Sequence, residues 1–390
     1  MKLFVEGRKR SFELINAKIN KSDRVIWFHC ASLGEFEQGR PIIEEVKDSF
    51  PQYKIVLTFF SPSGYEVRKN YPLADVVCYL PVDTSANAKK FIGLIHPEMA
   101  IFVKYEFWPN YLNELKRNKI KTLLVSGTFR EDQIFFKSYG TWMIKSLETF
   151  SHFFVQNIPS ENLLKSMGFK NVTVSGDTRF DRVSAISEQD NHLDFIEKFK
   201  QHKYTLVAGS TWSKGEALLI SYINKESSEN EKFIIAPHNV TPQTIAELKQ
   251  AIKKETVLFS DQKNIETANV FIVDTVGILT KIYSYADVAY VGGGFGTSGL
   301  HNVLEPAAFG IPILIGPNFD KFEEAKDLVA IGACEVIKDH ITTNQVLANL
   351  RDDQKLRLSK GQKAKEYVDE HRGATSIILA YLKENIHQNT

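Results

Sequence analysis

The chain has 390 residues, 43% of them hydrophobic and 24% charged, with a formal net charge of +1. That length exceeds what one hydrophobic core supports, so two domains of similar size are expected, and the composition is that of a folded, soluble protein. The balanced charge argues against a dedicated nucleic-acid binder. Three separated cysteines, Cys30, Cys78 and Cys334, fit neither a zinc spacing nor a secreted disulfide framework and point to a reducing compartment.

No signal peptide opens the chain, and no run of 18 apolar residues is present to span a bilayer. Met1 to Asn20 mixes Leu3, Phe4, Phe12, Leu14 and Ile15 with Arg8, Lys9 and Arg10. Such a segment suits either an anionic membrane surface or a helix packed on its own domain. From residue 24 to residue 150, short apolar runs alternate with amphipathic stretches. Strands are predicted at Arg24–His29, Lys54–Phe59, Val76–Leu80, Met99–Val103 and Thr122–Ser126. Helices are predicted at Glu35–Ser49, Ser63–Asn70, Asn87–Leu94 and Pro109–Arg117. This alternation implies βαβ units and a parallel sheet covered on both faces. Ligands of such sheets bind outside the carboxyl ends of the strands. Cys30–Glu35, Phe60–Gly64, Lys104–Pro109 and Gly127–Arg130 would all gather on that edge.

A helical hairpin over Gln133–Thr149 precedes strands at Phe153–Val155 and Val172–Val174, and the polar segment Ser184–His192 reads as the domain connection. A second series begins with strand Tyr204–Ala208, continues through GSTWSKGE, and adds strands at Phe233–Ala236, Thr256–Leu258 and Val270–Val273. Asp287 to Pro317 then reads as strand, glycine-rich turn, a helix over Asn302–Phe309, and strand Ile311–Ile315. Backbone N–H groups beside a helix N-terminus suit a phosphate, with Gly293 and Gly294 in the turn. Glu305, one turn into the helix, can accept hydrogen bonds from both ribose hydroxyls. A tight strand-to-helix connection with no ligand accounts for the glycines equally well. The tail, Gln354 to Asn385, reads as helical and charged. The expected organisation is α/β, with Rossmann-like domains over 1–185 and 186–365 facing one another across a cleft, and a closing helix over 366–390 packing back on the first.

The ordered set CASLGE (30–35), SPSGYE (61–66), EFWPN (106–110), SGDTRFD (175–181), GSTWSKGE (209–216) and GGGFGTSGLHNVLEPAAFGIPILIGP (292–317) resembles the bacterial 3-deoxy-D-manno-octulosonic acid (Kdo) transferases over nearly the whole chain. The resemblance implies an inverting glycosyltransferase of the GT-B fold that moves Kdo from CMP-Kdo to lipid IVA, the tetraacylated precursor of lipid A. It implies an acceptor-binding first domain, a donor-binding second domain, no cofactor or metal, and work at the cytoplasmic face of the inner membrane. Many relatives open with an apolar anchor, and the expectation here is either a peripheral protein docking by its basic, aromatic N-terminal face or one whose anchor is missing from this sequence. Other GT-B enzymes using UDP-sugars, or a silent nucleotide-sugar binder, share parts of the pattern.

By the same resemblance Glu35 is the base that takes the acceptor's proton, and a helix N-terminus favours its carboxylate form. Glu37, two residues on, points off the other side. Lys104 stands where many relatives carry an acidic residue, while Glu106 is kept; the two alternatively form a local charge pair. Arg179 stands for the family's basic residue, as a clamp on the leaving phosphate or the Kdo carboxylate, or as an interdomain salt bridge. The implied donor contacts are Thr275, Val276, Gly277 and Ile278, where relatives often have glutamate at the last position, and Asn302, Val303, Leu304 and Glu305. Ala236, Pro237 and His238 match a proline-arginine-histidine stretch whose arginine is replaced by Pro237. Lys214 or the backbone of Ser210 and Thr211 can compensate for that loss.

Overall fold

The computed structural model describes residues 2–137, 140–296 and 299–386. The chain divides into two compact units, residues 1–182 with 371–390, and residues 183–370. Among the described residues each unit is built on a seven-stranded sheet.

The first unit contains β1 (Arg24–His29), β2 (Tyr53–Phe59), β3 (Val76–Tyr79), β4 (Met99–Val103), β5 (Lys121–Gly127), β6 (His152–Val155) and β7 (Val172–Val174). They lie in the order β3-β2-β1-β4-β5-β6-β7, all parallel. Its helices are α1 (Lys2–Lys18), α2 (Leu33–Ser49), α3 (Pro62–Arg68), α4 (Ser85–Ile95), α5 (Pro109–Arg117), α6 (Thr141–Leu147) and α7 (Ile158–Ser166), and α8 (Thr178–Ser187) leads out of the unit. Helices cover both faces of the sheet, so β1 and β4 read as apolar runs rather than alternating strands. Successive residues of β1 enter opposite cores: Val25 and Trp27 pack with α4 and α5, whereas Ile26 and Phe28 pack with α2.

The first helix, α1, packs on its own unit. Arg8 is buried and donates from Nε to the Leu80 carbonyl at 3.1 Å and from a terminal nitrogen to the Phe60 carbonyl at 2.8 Å. Its guanidinium also stands 4.6 Å from the centre of the Phe60 ring. This cation of the basic segment is therefore committed to the fold. Among the described residues no helix is long and apolar enough to cross a membrane.

The second unit contains α9 (Asp194–Lys200), β8 (Tyr204–Thr211), α10 (Ser213–Lys225), β9 (Glu231–Pro237), α11 (Pro242–Ala251), β10 (Thr256–Leu258), β11 (Val270–Ile272), α12 (Leu279–Ile282), β12 (Val288–Val291), α13 (Leu304–Ala308), β13 (Ile313–Ile315), α14 (Glu323–Ala330), β14 (Cys334–Val336), α15 (His340–Asp352) and α16 (Gln354–Glu370). Its parallel order is β10-β11-β9-β8-β12-β13-β14. The helical tail breaks after α16, and α17 (Ala374–Ile386) joins the first unit. Ile378, Leu382 and Ile386 enter the core beside α2, and Asp181 accepts from the Gly373 and Thr375 amides at 2.6 and 2.7 Å.

Three expected elements change. The hairpin over Gln133–Thr149 becomes a single 3₁₀ turn, Ile134–Phe136, followed by α6, with residues 138–139 outside the described ones. The helix expected from Asn302 to Phe309 shortens to five residues, because the Asn302 side chain accepts from the Leu304 amide and holds the backbone ahead of it out of the helix. The connection expected at Ser184 starts later, since α8 runs on to Ser187.

In both sheets the strand order reverses beside the first strand of the unit, at β1/β4 and at β8/β12. Loops leaving such a pair diverge and open a crevice at the carboxyl ends.

The start of α8 is fastened to α2 by a buried carboxylate. Asp177 pairs with the Arg179 guanidinium at 2.8 Å, receives Gln38 Nε2 at 3.1 Å, and is 7% exposed. Burial pushes this carboxyl up, but the charge and hydrogen bonds of Arg179, then Gln38, outweigh it and hold Asp177 below the usual carboxylate range. A depressed folded-state pKa contributes stability above the unfolded value, and that contribution is lost as pH falls through the folded one. Arg179→Met should therefore cost roughly 2–3 kcal/mol at pH 7, less than for a fully enclosed pair because Arg179 keeps some solvent contact. Urea unfolding should show the deficit shrinking as pH falls, first as the variant's Asp177, no longer held down by Arg179, takes its proton, and vanishing only once the parent's Asp177 protonates as well.

Candidate active site

The crevice of the first unit lies between the loop after β1 and the loop after β4. Ser32 caps α2 and Glu35 stands in its first turn, 7% exposed. The spacing Ser-x-x-Glu is that of a capping box, yet no side-chain capping bond forms at Ser32, whose hydroxyl donates to the Glu35 carboxylate instead. Glu37 turns away and pairs with Arg68 and Arg182, each at 2.9 Å. Its two cations leave it no role as a base.

Across the crevice, Lys104 ends β4 in a left-handed conformation with φ 72°, a position uncommon for a side chain of this size. Among the described residues no Lys104–Glu106 ion pair forms. The Lys104 ammonium stands 5.1 Å from the Tyr105 ring centre, and Glu106 approaches His29 Nε2 at 3.8 Å. Burial, and then the charge of Glu35, push the Tyr105 hydroxyl up, which places this loop in the field of Glu35. Arg179 pairs with Asp177 of its own turn. His29 is fully buried, and Trp108 donates its indole N–H to His29 Nε2 at 3.0 Å.

The crevice of the second unit is bounded by the end of β8 and the loop after β12. The β8–β9 ladder shifts register at Ser210, whose φ is 52°, and Thr211 donates to Glu216 at 2.6 Å. Pro237 ends β9 and is buried beside Thr211, with the His238 amide on the Thr211 carbonyl at 3.0 Å. The glycine loop is tightly packed: a Cβ on Gly292 would stand 1.9 Å from the Ser210 carbonyl oxygen, and Gly293 has φ 89°. The fold needs both glycines with or without a ligand. The Gly292 amide is spent on the Gly209 carbonyl at 2.8 Å. Gly294 is buried in the same turn, and the Lys214 ammonium reaches over Gly296, 3.9 Å from where a Cβ would be.

Glu305 is held on both oxygens, by Thr280 Oγ1 at 2.9 Å and Asn302 Nδ2 at 3.3 Å. Val303 and Leu304 are 1% and 0% exposed, so neither presents a side chain to a ligand. Thr275, Val276, Gly277 and Ile278 form the turn after β11, where Val276 is 79% exposed. His238 stacks on Trp212 with ring centres 4.3 Å apart, and Trp212 Nε1 donates to His301 Nε2 at 3.1 Å. Burial, then the neighbouring His238, push His301 down to about 4. That cluster is neutral at physiological pH.

Sequence reasoning placed Ser32 on the edge of the first unit within Cys30–Glu35 and included Trp212 and His301 within motifs, but assigned no role to them or to His29 and Thr280. Only Ser32 carried a local signal, its capping-box spacing to Glu35.

The sequence profile of the family described as 3-deoxy-D-manno-octulosonic-acid transferase (kdotransferase) matches residues 6–182. The 3-deoxy-D-manno-octulosonic acid transferase of Aquifex aeolicus is 30% identical, over 78% of this chain and 79% of its own length. Those of Chlamydophila psittaci and Haemophilus influenzae are 26% and 25% identical, over 90% and 93% of this chain and 82% and 88% of theirs. In fold the chain is similar to a UDP-GlcNAc 2-epimerase from Neisseria meningitidis, with TM-score 0.64, 13% identity, and coverage of 93% of this chain and 100% of that one. It is likewise similar to MurG from Acinetobacter baumannii, with TM-score 0.57, 11% identity, and coverage of 93% and 99%. The parallel sheets and these neighbours establish the GT-B fold, and the sequence relatives decide among its many families: this chain belongs to the 3-deoxy-D-manno-octulosonic acid transferases, which are glycosyltransferases.

Proposed function

We propose that the chain transfers Kdo from CMP-Kdo to lipid IVA with inversion at the anomeric carbon, at the cytoplasmic face of the inner membrane, with Glu35 as the base. The observation that carries this reading is the Glu35 carboxylate, nearly buried at the switch point of the first sheet and bonded to Ser32. Glu35 takes the proton of the acceptor hydroxyl as that oxygen attacks the anomeric carbon, and CMP departs with the bonding pair. Lys104, opposite Glu35 and without a carboxylate partner among the described residues, is free to meet the carboxylate of Kdo. Arg179 serves as a strut on Asp177, which leaves the leaving phosphate to other cations.

In the second unit Glu305 takes the ribose. Thr280 and Asn302 donate to its two oxygens and orient the carboxylate, which can accept from the ribose hydroxyls. Lys214, above the glycine loop, takes over the phosphate contact that Pro237 cannot make. The turn Thr275–Ile278 borders the nucleotide with its backbone.

Glu35→Gln keeps the shape and removes the base, so kcat for Kdo transfer should fall by roughly 10²–10⁴. Its CMP affinity by calorimetry should stay within about twofold of the parent, since the nucleotide is bound elsewhere. Transfer by Glu35→Gln at the parental rate would remove the base assignment. For Glu305→Ala the expected pattern is the reverse. CMP affinity should drop by roughly tenfold or more, through the loss of charge-assisted bonds, whereas kcat at saturating donor should change far less. Equal CMP binding by the two proteins would rule out Glu305 as the ribose ligand.

A further inference from the structure

His29 lies at the carboxyl end of β1 with no exposed surface, and the proposed chemistry does not use it. Its surroundings allow one arrangement of hydrogens. An indole N–H can only donate, so His29 Nε2, 3.0 Å from Trp108 Nε1, carries a lone pair. The ring proton is then on Nδ1, which donates to Thr58 Oγ1 at 2.9 Å. Thr58 Oγ1 also receives the Trp27 indole at 2.8 Å and gives its own hydrogen to the Phe28 carbonyl at 3.2 Å. Every donor in the chain from Trp108 to Phe28 finds one acceptor, with Thr58 Oγ1 accepting twice, and the imidazole within it is neutral.

The groups packed around the ring are few. From β1 there is Trp27, from β2 the Thr58 hydroxyl, from β4 the edge-on Phe102 ring at 5.7 Å, and from the loop after β4 Trp108 and Glu106. Among the described residues Glu106 is the one carboxylate within ion-pair reach, 3.8 Å from the same Nε2 that holds Trp108. Nε2 thus has two potential partners belonging to one turn. With a lone pair it accepts the indole; with a proton it can no longer accept and faces the carboxylate. Trp108 is also the residue before α5 and lies against Phe60, with ring centres 4.7 Å apart. A change of partner at Nε2 would move the turn that faces Glu35.

We propose that His29 is a positioning residue for the transferase reaction: its neutral imidazole holds Trp108, and through it Glu106, in the arrangement that faces Glu35, and a proton on Nε2 exchanges Trp108 for Glu106 and dismantles that arrangement. The proposal rests on the assignment of Glu35 as base and of this edge as the acceptor side.

The test uses the full chain with CMP-Kdo and lipid IVA between pH 5 and pH 9, with the Trp108 indole resonance, assigned by its loss in Trp108→Phe, followed in parallel. In the parent that resonance should titrate with the acid-side inflection of kcat. In His29→Gln, where an amide oxygen near the Nε2 position accepts the indole and cannot take a proton at these pH values, the resonance should hold still. The inflection should also move to lower pH, with kcat at pH 8 within about threefold of the parent. His29→Leu and Trp108→Phe should each lower kcat by about tenfold or more, with CMP affinity unchanged within twofold. A Trp108 resonance that does not move over this range overturns the proposal, as does a His29→Leu enzyme with the parental kcat and pH profile. If His29→Leu does not fold, the resonance and His29→Gln still decide. A parent that fails to transfer Kdo defeats the functional reading instead, and the indole titration then reports on the His29 exchange alone.

Discussion

Where β1 and β4 lie side by side, the chain leaves one strand toward β2 and the other toward β5, and no backbone ladder ties the two departing loops together. The second sheet has the same divergence at β8 and β12. In each unit the gap is crossed by an indole N–H on an imidazole nitrogen, Trp108 on His29 and Trp212 on His301. The bond suits the place. Both rings carry apolar surface into a tightly packed edge, and the indole's one polar atom is satisfied by an imidazole nitrogen, so little is lost by its burial. A neutral imidazole is required on each side, because a protonated nitrogen could not receive the indole. Elements that would otherwise be held only by their own strands thereby acquire a fixed spacing at the edge where chemistry is expected.

The charged groups near these edges divide by how many of their bonds are already taken. Arg8 is bound to two carbonyls, Glu37 to two arginines and Asp177 to Arg179 and Gln38. Removing their partners would strand the buried charges of Arg8 and Asp177 and free the half-buried Glu37, so they act as fasteners of α1, α2 and α8. Glu35 and Lys104 differ. Glu35 receives a hydroxyl and Lys104 lies near a ring, contacts that orient a charge without neutralising it. A substrate anion or hydroxyl can therefore still compete for them.

Elements with a strong apolar run were legible in the sequence. Strands at Arg24–His29 and Met99–Val103 form over those residues, because strands buried on both faces read as apolar runs. Strand Cys334–Val336 was not legible, since three residues with a central glutamate carry no periodicity. The fold class and the family followed from ordered motifs at strand ends, which are local. The partners of those motifs were not legible, because Trp212 reaches His301 across 89 residues and Thr280 reaches Glu305 across 25. Side-chain bonds of that kind depend on strand order, which hydrophobic period does not encode. Lys104 shows the same limit. Proximity in sequence suggested a charge pair with Glu106, and the left-handed turn at Lys104 sends the two charges to different neighbours.

The glycine loop changes meaning in the same way. Its glycines invite a phosphate reading, but Gly292 gives its amide to β8 and leaves no room for a side chain against Ser210. Closeness of backbone, not affinity for an anion, is what those glycines satisfy first. A five-residue α13 also has a small dipole to offer. On the proposed reading the charge on a departing phosphate needs a side-chain cation, and the end of β9 carries Pro237, which supplies none. Lys214, on the first turn of α10, extends over the same loop from the neighbouring strand end. A cation lost from one strand end can be replaced from the adjacent one, because in a parallel sheet the carboxyl ends of neighbouring strands open onto the same edge.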